Sequence, residues 1–235
     1  MNRRARVSGV DLGVIMLDNT LPRPLGDLGN ARSYGYPVAF DICPGAETTL
    51  VVERGAAGLL DSVVAAGHRL VHLGVRAVTT CCGFLAIYQR ELAERVGVPV
   101  ATSSLLQIPV VLRMLAPDQR LCVLTVNAST LTDEHLAAVG VTGEDRERVV
   151  LAGLEHTAHF YPMIVGERPD LDVAMAEAEV LGAASAAVAE NPDLGAFVLE
   201  CTNLPPYASA VRTATGLPVW HAGTLADWLQ AGVAQ

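Results

Sequence analysis

Two segments of the chain put the same side chain in the same setting. In AVTTCCGFL, residues 77–85, a β-branched run ends in Thr79-Thr80-Cys81-Cys82 and a glycine opens a helical pattern. In FVLECTNLPPY, residues 197–207, a similar run ends in Glu200-Cys201-Thr202-Asn203 ahead of a proline-marked helix start. Each places a thiol at a strand end, against N–H groups that the first turn of a helix leaves unsatisfied, a setting that lowers a thiol pKa and binds carboxylate. Two opposed thiols, one ionised and one protonated, suffice to remove a proton from one face of a carbon and return one to the other. This predicts racemisation at the α-carbon of a small carboxylic acid, with Cys82 and Cys201 as the bases.

The other cysteines read differently. Strand alternation turns Cys81 and Cys82 to opposite sides, so Cys81 is expected to pack as a small hydrophobe. Cys43 and Cys122 read as core residues inside strands. A vicinal disulfide at 81–82 would be strained. No metal is expected, since His156 and His159 form an i, i+3 pair without a third ligand at zinc spacing. Five cysteines without framework spacing predict free thiols in a reducing compartment.

The elements that must position the two thiols alternate strand and helix. Strands are expected over 6–17, 76–81, 98–103, 119–126, 148–154, 195–201 and 217–222, and helices over 55–73, 83–97, 105–115 despite Pro109, 132–140, 171–190, 204–216 and 224–234. Such alternation predicts an α/β protein with parallel sheets and right-handed crossovers, whose functional residues lie at the carboxyl ends of strands. Asn127 and His221 also end strands. Residues 17–37, dense in Pro, Gly and Asn, are expected to form a loop covering the site and carrying Arg23 and Arg32.

Composition narrows the function classes. A formal charge of −9 argues against nucleic-acid or anionic-membrane partners and favours a small molecule. All 16 basic residues are arginine, so the lysine required for a pyridoxal-phosphate or Schiff-base imine is missing. The basic-then-apolar start MNRRARVSGVDLGVIML is interrupted by Asp11 and lacks a small-residue cleavage site, and no apolar run reaches the ~18 residues that span a bilayer. A cytoplasmic protein is expected.

LDNT after the first strand, TTCCGFL, VPVATSSLLQIP and LECTNLPPY together resemble the aspartate/glutamate racemase superfamily, a cofactor-independent group that includes hydantoin racemases, maleate isomerases and arylmalonate decarboxylases. The resemblance implies two pseudo-symmetric Rossmann/flavodoxin-like halves, each with a mainly parallel sheet flanked by helices and with the active site between them. The halves would comprise 1–105 plus 219–235, and 106–218. It also implies a frequent homodimer, no cofactor, and Cys82 and Cys201 as the first and second catalytic cysteines. Thr202 matches a threonine that holds the substrate carboxylate, and Asp18 lies where many members keep an acidic residue. Asn19, Thr80, Gly83, Asn127 and Asn203 complete the expected binding set. Gly83-Phe84 stand where the amino-acid racemases carry Asn-Thr; a glycine there allows close backbone approach to a carboxylate. The expected function is an isomerase that racemises or epimerises an amino acid or related small carboxylic acid. Alternatives are a maleate-isomerase-like or arylmalonate-decarboxylase-like enzyme, or a ligand-binding member without chemistry.

Overall fold

Apolar runs form two four-stranded parallel sheets in the computed structural model, which describes residues 6–234. The first sheet contains β1 (Leu12–Met16), β2 (Val38–Ile42), β3 (Ala77–Thr80) and β4 (Val100–Ala101), in the order β2-β1-β3-β4. The second contains β5 (Arg120–Thr125), β6 (Val149–Gly153), β7 (Leu194–Leu199) and β8 (Val219–His221), in the order β6-β5-β7-β8. The order is the same in both, so β3 and β7 occupy equivalent places. Every residue of β3 and of β7 is buried, as continuous apolar runs in the middle of parallel sheets should be. Cys82 and Cys201 each lie two residues beyond the end of their strand. The basic start MNRRA lies outside the described residues.

The crossovers carry α1 (Thr48–Glu53), α2 (Leu60–Leu73), α3 (Gln89–Arg95), α4 (Ile108–Met114), α5 (Asp133–Ala138), α6 (Gly143–Glu147), α7 (Phe160–Val165), α8 (Val173–Glu190), α9 (Ala208–Thr215) and α10 (Ala222–Val233). The segment read as one helix over 83–97 begins instead as a 3-10 helix, Gly83–Tyr88, before α3. The Leu85 N–H donates to the Cys82 carbonyl at 3.2 Å, which tightens this first turn beneath the thiol. Proline marks the corresponding 3-10 turn, Pro205–Tyr207, after Cys201. Pro109 sits in the first turn of α4, where its missing N–H costs no helical bond.

Three features differ from the sequence expectation. β2, the edge strand, follows a loop whose proline and glycine content obscured it, so Cys43 lies just past a strand end rather than inside a strand, although it is fully buried. α1 and α7 are six residues each, too short to show helical periodicity. The expected boundary at residue 219 also needs correction. β8 pairs with β7 in the second sheet, and it is α10, from Ala222 onward, that returns to pack on β1, β3 and β4. Among the described residues, no helix is long and apolar enough to cross a membrane.

Candidate active site

The loop after β3 and the loop after β7 meet, and between them lies a cavity of about 20 Å³, room for about one water molecule. Cys82, Cys201, Asn19, Gly83, Thr202 and Asn203, all expected from the sequence, line it. Cys81, Arg23, Thr48, Phe84 and Glu200 do so as well, with Leu17, Leu21, Val52, Val126 and Ile164 supplying apolar wall. All five cysteines are free. Among the described residues, no group of three or more His, Cys, Asp or Glu could hold a metal ion.

One side of the cavity is a polar clamp that joins the loop over residues 17–37 to the second half. The Arg23 guanidinium donates to Asp27 Oδ1 at 3.2 Å and to Asn19 Oδ1 at 2.7 Å. Asp27, with no exposed surface, also accepts from the Gly29 N–H at 2.7 Å and from the Asn203 side-chain amide. A side chain at Gly29 would collide with Arg23, so glycine there lets the guanidinium lie flat across the loop. Thr202 donates its hydroxyl to the Cys81 carbonyl at 2.9 Å, and the Leu28 N–H reaches the Thr202 carbonyl at 3.4 Å. The loop thus covers the site, as its composition predicts. Arg32 is exposed and takes no part.

Cys81 packs with Val14, Leu28 and Ala222, as expected of a small hydrophobe, but it does not face away from the site. β3 ends at Thr80, so the pleat no longer dictates direction at 81 and 82, and both cysteines line the cavity. Cys81 Sγ lies 3.5 Å from Arg23 Nη1 and 3.7 Å from Thr202 Oγ1.

Three expected binding residues lie away from the cavity. Asp18 is exposed, and its carboxylate accepts the Gly45 N–H at 2.9 Å, bracing the turn after β2. Thr80 is buried and donates to the carbonyls of Thr102 and Cys82, fixing the backbone from which the thiol hangs. Asn127 accepts from the backbone of Ser129 and Thr130 and donates to the Tyr161 hydroxyl at 3.2 Å. Tyr161 in turn donates to Glu53 at 3.1 Å, so Asn127 holds α7 against α1 above the cavity rather than touching its contents. His221 caps α10, its Nδ1 accepting the Gly223 N–H.

The electrostatics depart from the expectation of depressed thiol pKa values. The N–H groups of Phe84 and Leu85 do pull Cys82 down, but burial and the neighbouring Glu200 outweigh them and hold the thiol far above its ordinary range. Cys201 is raised well above its usual value by burial and by Glu200, and it donates its S–H to Asn203 Oδ1 at 3.5 Å. Cys81 is pushed up to about 11 by burial, against the opposing charge of Arg23. Glu200 itself is pushed up to about 7 by burial, with the Thr125 hydroxyl at 2.7 Å the counteracting donor. Burial penalises each anion, and here that penalty exceeds the pull of the helix ends.

The chain is similar to several curated proteins over nearly its whole length. A dimethylsulfoniopropionate lyase of Durusdinium sp. clade D is 30% identical over 96% of this chain and 76% of its own. Dimethylsulfoniopropionate lyases 3 and 5 of Emiliania huxleyi (strain CCMP1516) are 33% and 32% identical over 94% of this chain, which spans 59% and 45% of their lengths. No protein-family model matches. Among solved structures, allantoin racemase from Klebsiella pneumoniae superposes with a TM-score of 0.66 at 19% identity, covering 94% of this chain and 88% of that one. A sulfate-associated mutant of arylmalonate decarboxylase gives 0.60 at 20%, covering 95% and 93%. The aspartate racemase of Picrophilus torridus gives 0.59 at 13%, covering 95% and 94%. These likenesses establish the two-domain α/β fold of the aspartate/glutamate racemase superfamily. The expectation of an isomerase is overturned by the curated relatives, which are lyases by name.

Proposed function

The chain belongs to the family of the dimethylsulfoniopropionate lyases, and from that premise we propose that it cleaves dimethylsulfoniopropionate, or a close β-sulfonio carboxylate, by α-proton abstraction and β-elimination. The observation that carries this reading is the composition of one cavity: three thiols, a polar clamp of Arg23, Thr202 and Asn203, and an apolar wall that includes Phe84. The proposed substrate divides in the same way. Its carboxylate meets the clamp, and its dimethylsulfonium lies on the apolar side, where an aromatic face attracts an onium cation.

Cys82 is the proposed base. Two N–H groups, of Phe84 and Leu85, favour its thiolate, whereas Cys201 has one, that of Asn203, and donates its S–H to Asn203 Oδ1. The thiolate takes a proton from C2, the C2–H pair becomes the C2=C3 bond, and the C3–S bond breaks with its pair leaving on sulfur as dimethyl sulfide. Acrylate remains. Donors of the clamp stabilise the charge that develops on the carboxylate as C2 loses its proton. The cationic substrate also offsets burial, because a sulfonium beside the sulfur favours the thiolate that burial disfavours. Gly83-Phe84 suit this substrate: it has no α-amino group to bind, and the phenyl ring replaces a polar side chain with an onium-binding face.

A cavity with room for about one water must widen to admit such a molecule. The loop over 17–37 and the contact of α1 with α7 and the turn after it, where Tyr161 meets Glu53 and Thr48 N–H meets Glu167, are the walls that would move. Incubation with dimethylsulfoniopropionate should yield dimethyl sulfide in the headspace and acrylate in solution in equal amounts. Unchanged substrate over a protein concentration series overturns the reading. Carbon dioxide from an arylmalonate, without dimethyl sulfide from the sulfonium, favours the decarboxylase alternative.

A further inference from the structure

Glu200 is an expensive residue for the structure to keep. It has no exposed surface, it follows the fully buried strand β7, and its Oε1 has no hydrogen-bond partner among the described residues. A buried polar atom left unpaired costs on the order of 1–3 kcal/mol, so a retained one calls for a reason. Packing does not supply one. The Oε1 lies over the α-carbon of Gly83, where any side chain would collide with the carboxyl, so Gly83 is glycine because Glu200 fills its side-chain space. The two halves are built to bring this oxygen beside the Cys82 turn. Gly83 therefore makes room for a carboxyl group rather than for a substrate carboxylate.

The groups that face Glu200 are few. Thr125 on β5 donates to Oε2, Cys82 approaches from the first half, and Cys201 is its chain neighbour. Arg23 and Asp27 are occupied with each other, with Cys81 and with Asn203. His135 stands edge-on behind Phe84, its Nδ1 engaged at Thr132. No arginine pairs with Glu200 among the described residues, so its carboxylate is the uncompensated charge next to the two thiols.

We propose that Glu200 is the positioning residue for the thiol base: its free Oε1 accepts the proton that Cys82 loses and holds it while the thiolate acts. The Cys82 S–H bond breaks with its pair staying on sulfur, and a lone pair of Oε1 forms the new O–H bond. The negative charge passes from carboxylate to thiolate, so Glu200 and Cys82 are never charged together. After Cys82 has taken the substrate proton, the Glu200 carboxyl releases its proton to water as the site opens. This restores the starting state and exports the one proton that elimination liberates. For its substrate the inference rests on the lyase reading; for the proton exchange between Glu200 and Cys82 it does not.

The test compares wild type with Glu200→Gln and Thr125→Val in two assays. In turnover, kcat of wild type should fall below a limb near pH 7, the value to which burial pushes Glu200. Glu200→Gln should lose about 100-fold in kcat with KM little changed, and the limb with it. Thr125→Val, which removes the donor that favours the carboxylate, should move the limb to higher pH. In the substrate-free assay, iodoacetamide labelling of Cys82 is followed against pH by peptide mass spectrometry. Wild type should rise through the same region and then level, while Glu200→Gln should rise steadily without the plateau. Identical labelling profiles, or a Cys82 unlabelled at every pH, overturn the proposal even if dimethyl sulfide is released. A plateau abolished by Glu200→Gln in a protein that releases no dimethyl sulfide upholds the proton exchange and removes the lyase reading instead.

Discussion

Replacing Asp27 with alanine tests the clamp that closes the site. Three donors converge on this carboxylate: Arg23, the Gly29 N–H and the Asn203 amide. Asp27 is completely buried and the Arg23 side chain only 14% exposed, so the pair is little screened by solvent. Asp27→Ala removes the anion and leaves the guanidinium buried without its counter-charge, a change that costs about 3–5 kcal/mol in comparable sites. At about 2–4 °C per kcal/mol for a chain of this size, the midpoint of thermal unfolding should fall by roughly 10 °C. Arg23→Met combined with Asp27→Ala should recover most of the loss, because then neither charge stays behind. Asp27→Asn should cost less stability but still reduce turnover. It keeps one acceptor oxygen and forces the Asn203 amide to turn, which takes the Oδ1 away from the Cys201 S–H. Urea and thermal denaturation of the four proteins give the comparison. An Asp27→Ala protein within 1 kcal/mol of wild type, or a double variant no more stable than it, refutes the reasoning.

Other outcomes follow from the same geometry. Phe84→Leu should weaken kcat/KM for a sulfonium substrate by about 5–30-fold, the worth of a desolvated cation–π contact of ~1–2 kcal/mol, while binding of a neutral carboxylate of equal size, measured by competition, changes less. Glu200 has its folded pKa raised from 4.5 to about 7, so its contribution to stability is fully present below pH 4.5 and is lost as pH rises through about 7. Glu200→Gln should flatten that slope in urea midpoints measured between these values, a slope that amounts in wild type to on the order of 3 kcal/mol. Asp18→Asn should leave turnover unchanged and stability within about 0.5 kcal/mol, since the carboxylate is exposed and braces only the Gly45 turn.

The two thiol positions are legible because each is announced locally, by a β-branched run, a polar break and a helix start within about a dozen residues. The parallel sheets follow from the alternation of strand and helix. What escapes is long-range. Arg23 and Asp27 lie in a segment without periodicity, and their partner Asn203 is 176 residues from Asp27 in the chain. Glu200 reads as a strand-end residue like many others; its carboxyl occupies the space above Gly83 only once the two halves are brought together by the fold. Cys81 packs as expected, but that it also faces the site is missed because the alternation rule is carried past Thr80, where the strand has ended. Asp18 and Thr80 illustrate the converse: both lie beside the site in sequence, yet hydrogen bonds to the backbone turn their side chains to structural work. The difference between isomerase and lyase is not written in the thiols at all, because both reactions begin by taking a proton from the same carbon.

The most direct measurement of the central proposal is the rate of dimethyl sulfide release from dimethylsulfoniopropionate carrying hydrogen or deuterium at C2, by wild type, Cys82→Ser and Cys201→Ser. The thiol-base mechanism predicts a primary isotope effect in wild type and a loss of at least about 100-fold in Cys82→Ser. Release that proceeds in Cys82→Ser at the wild-type rate would contradict it.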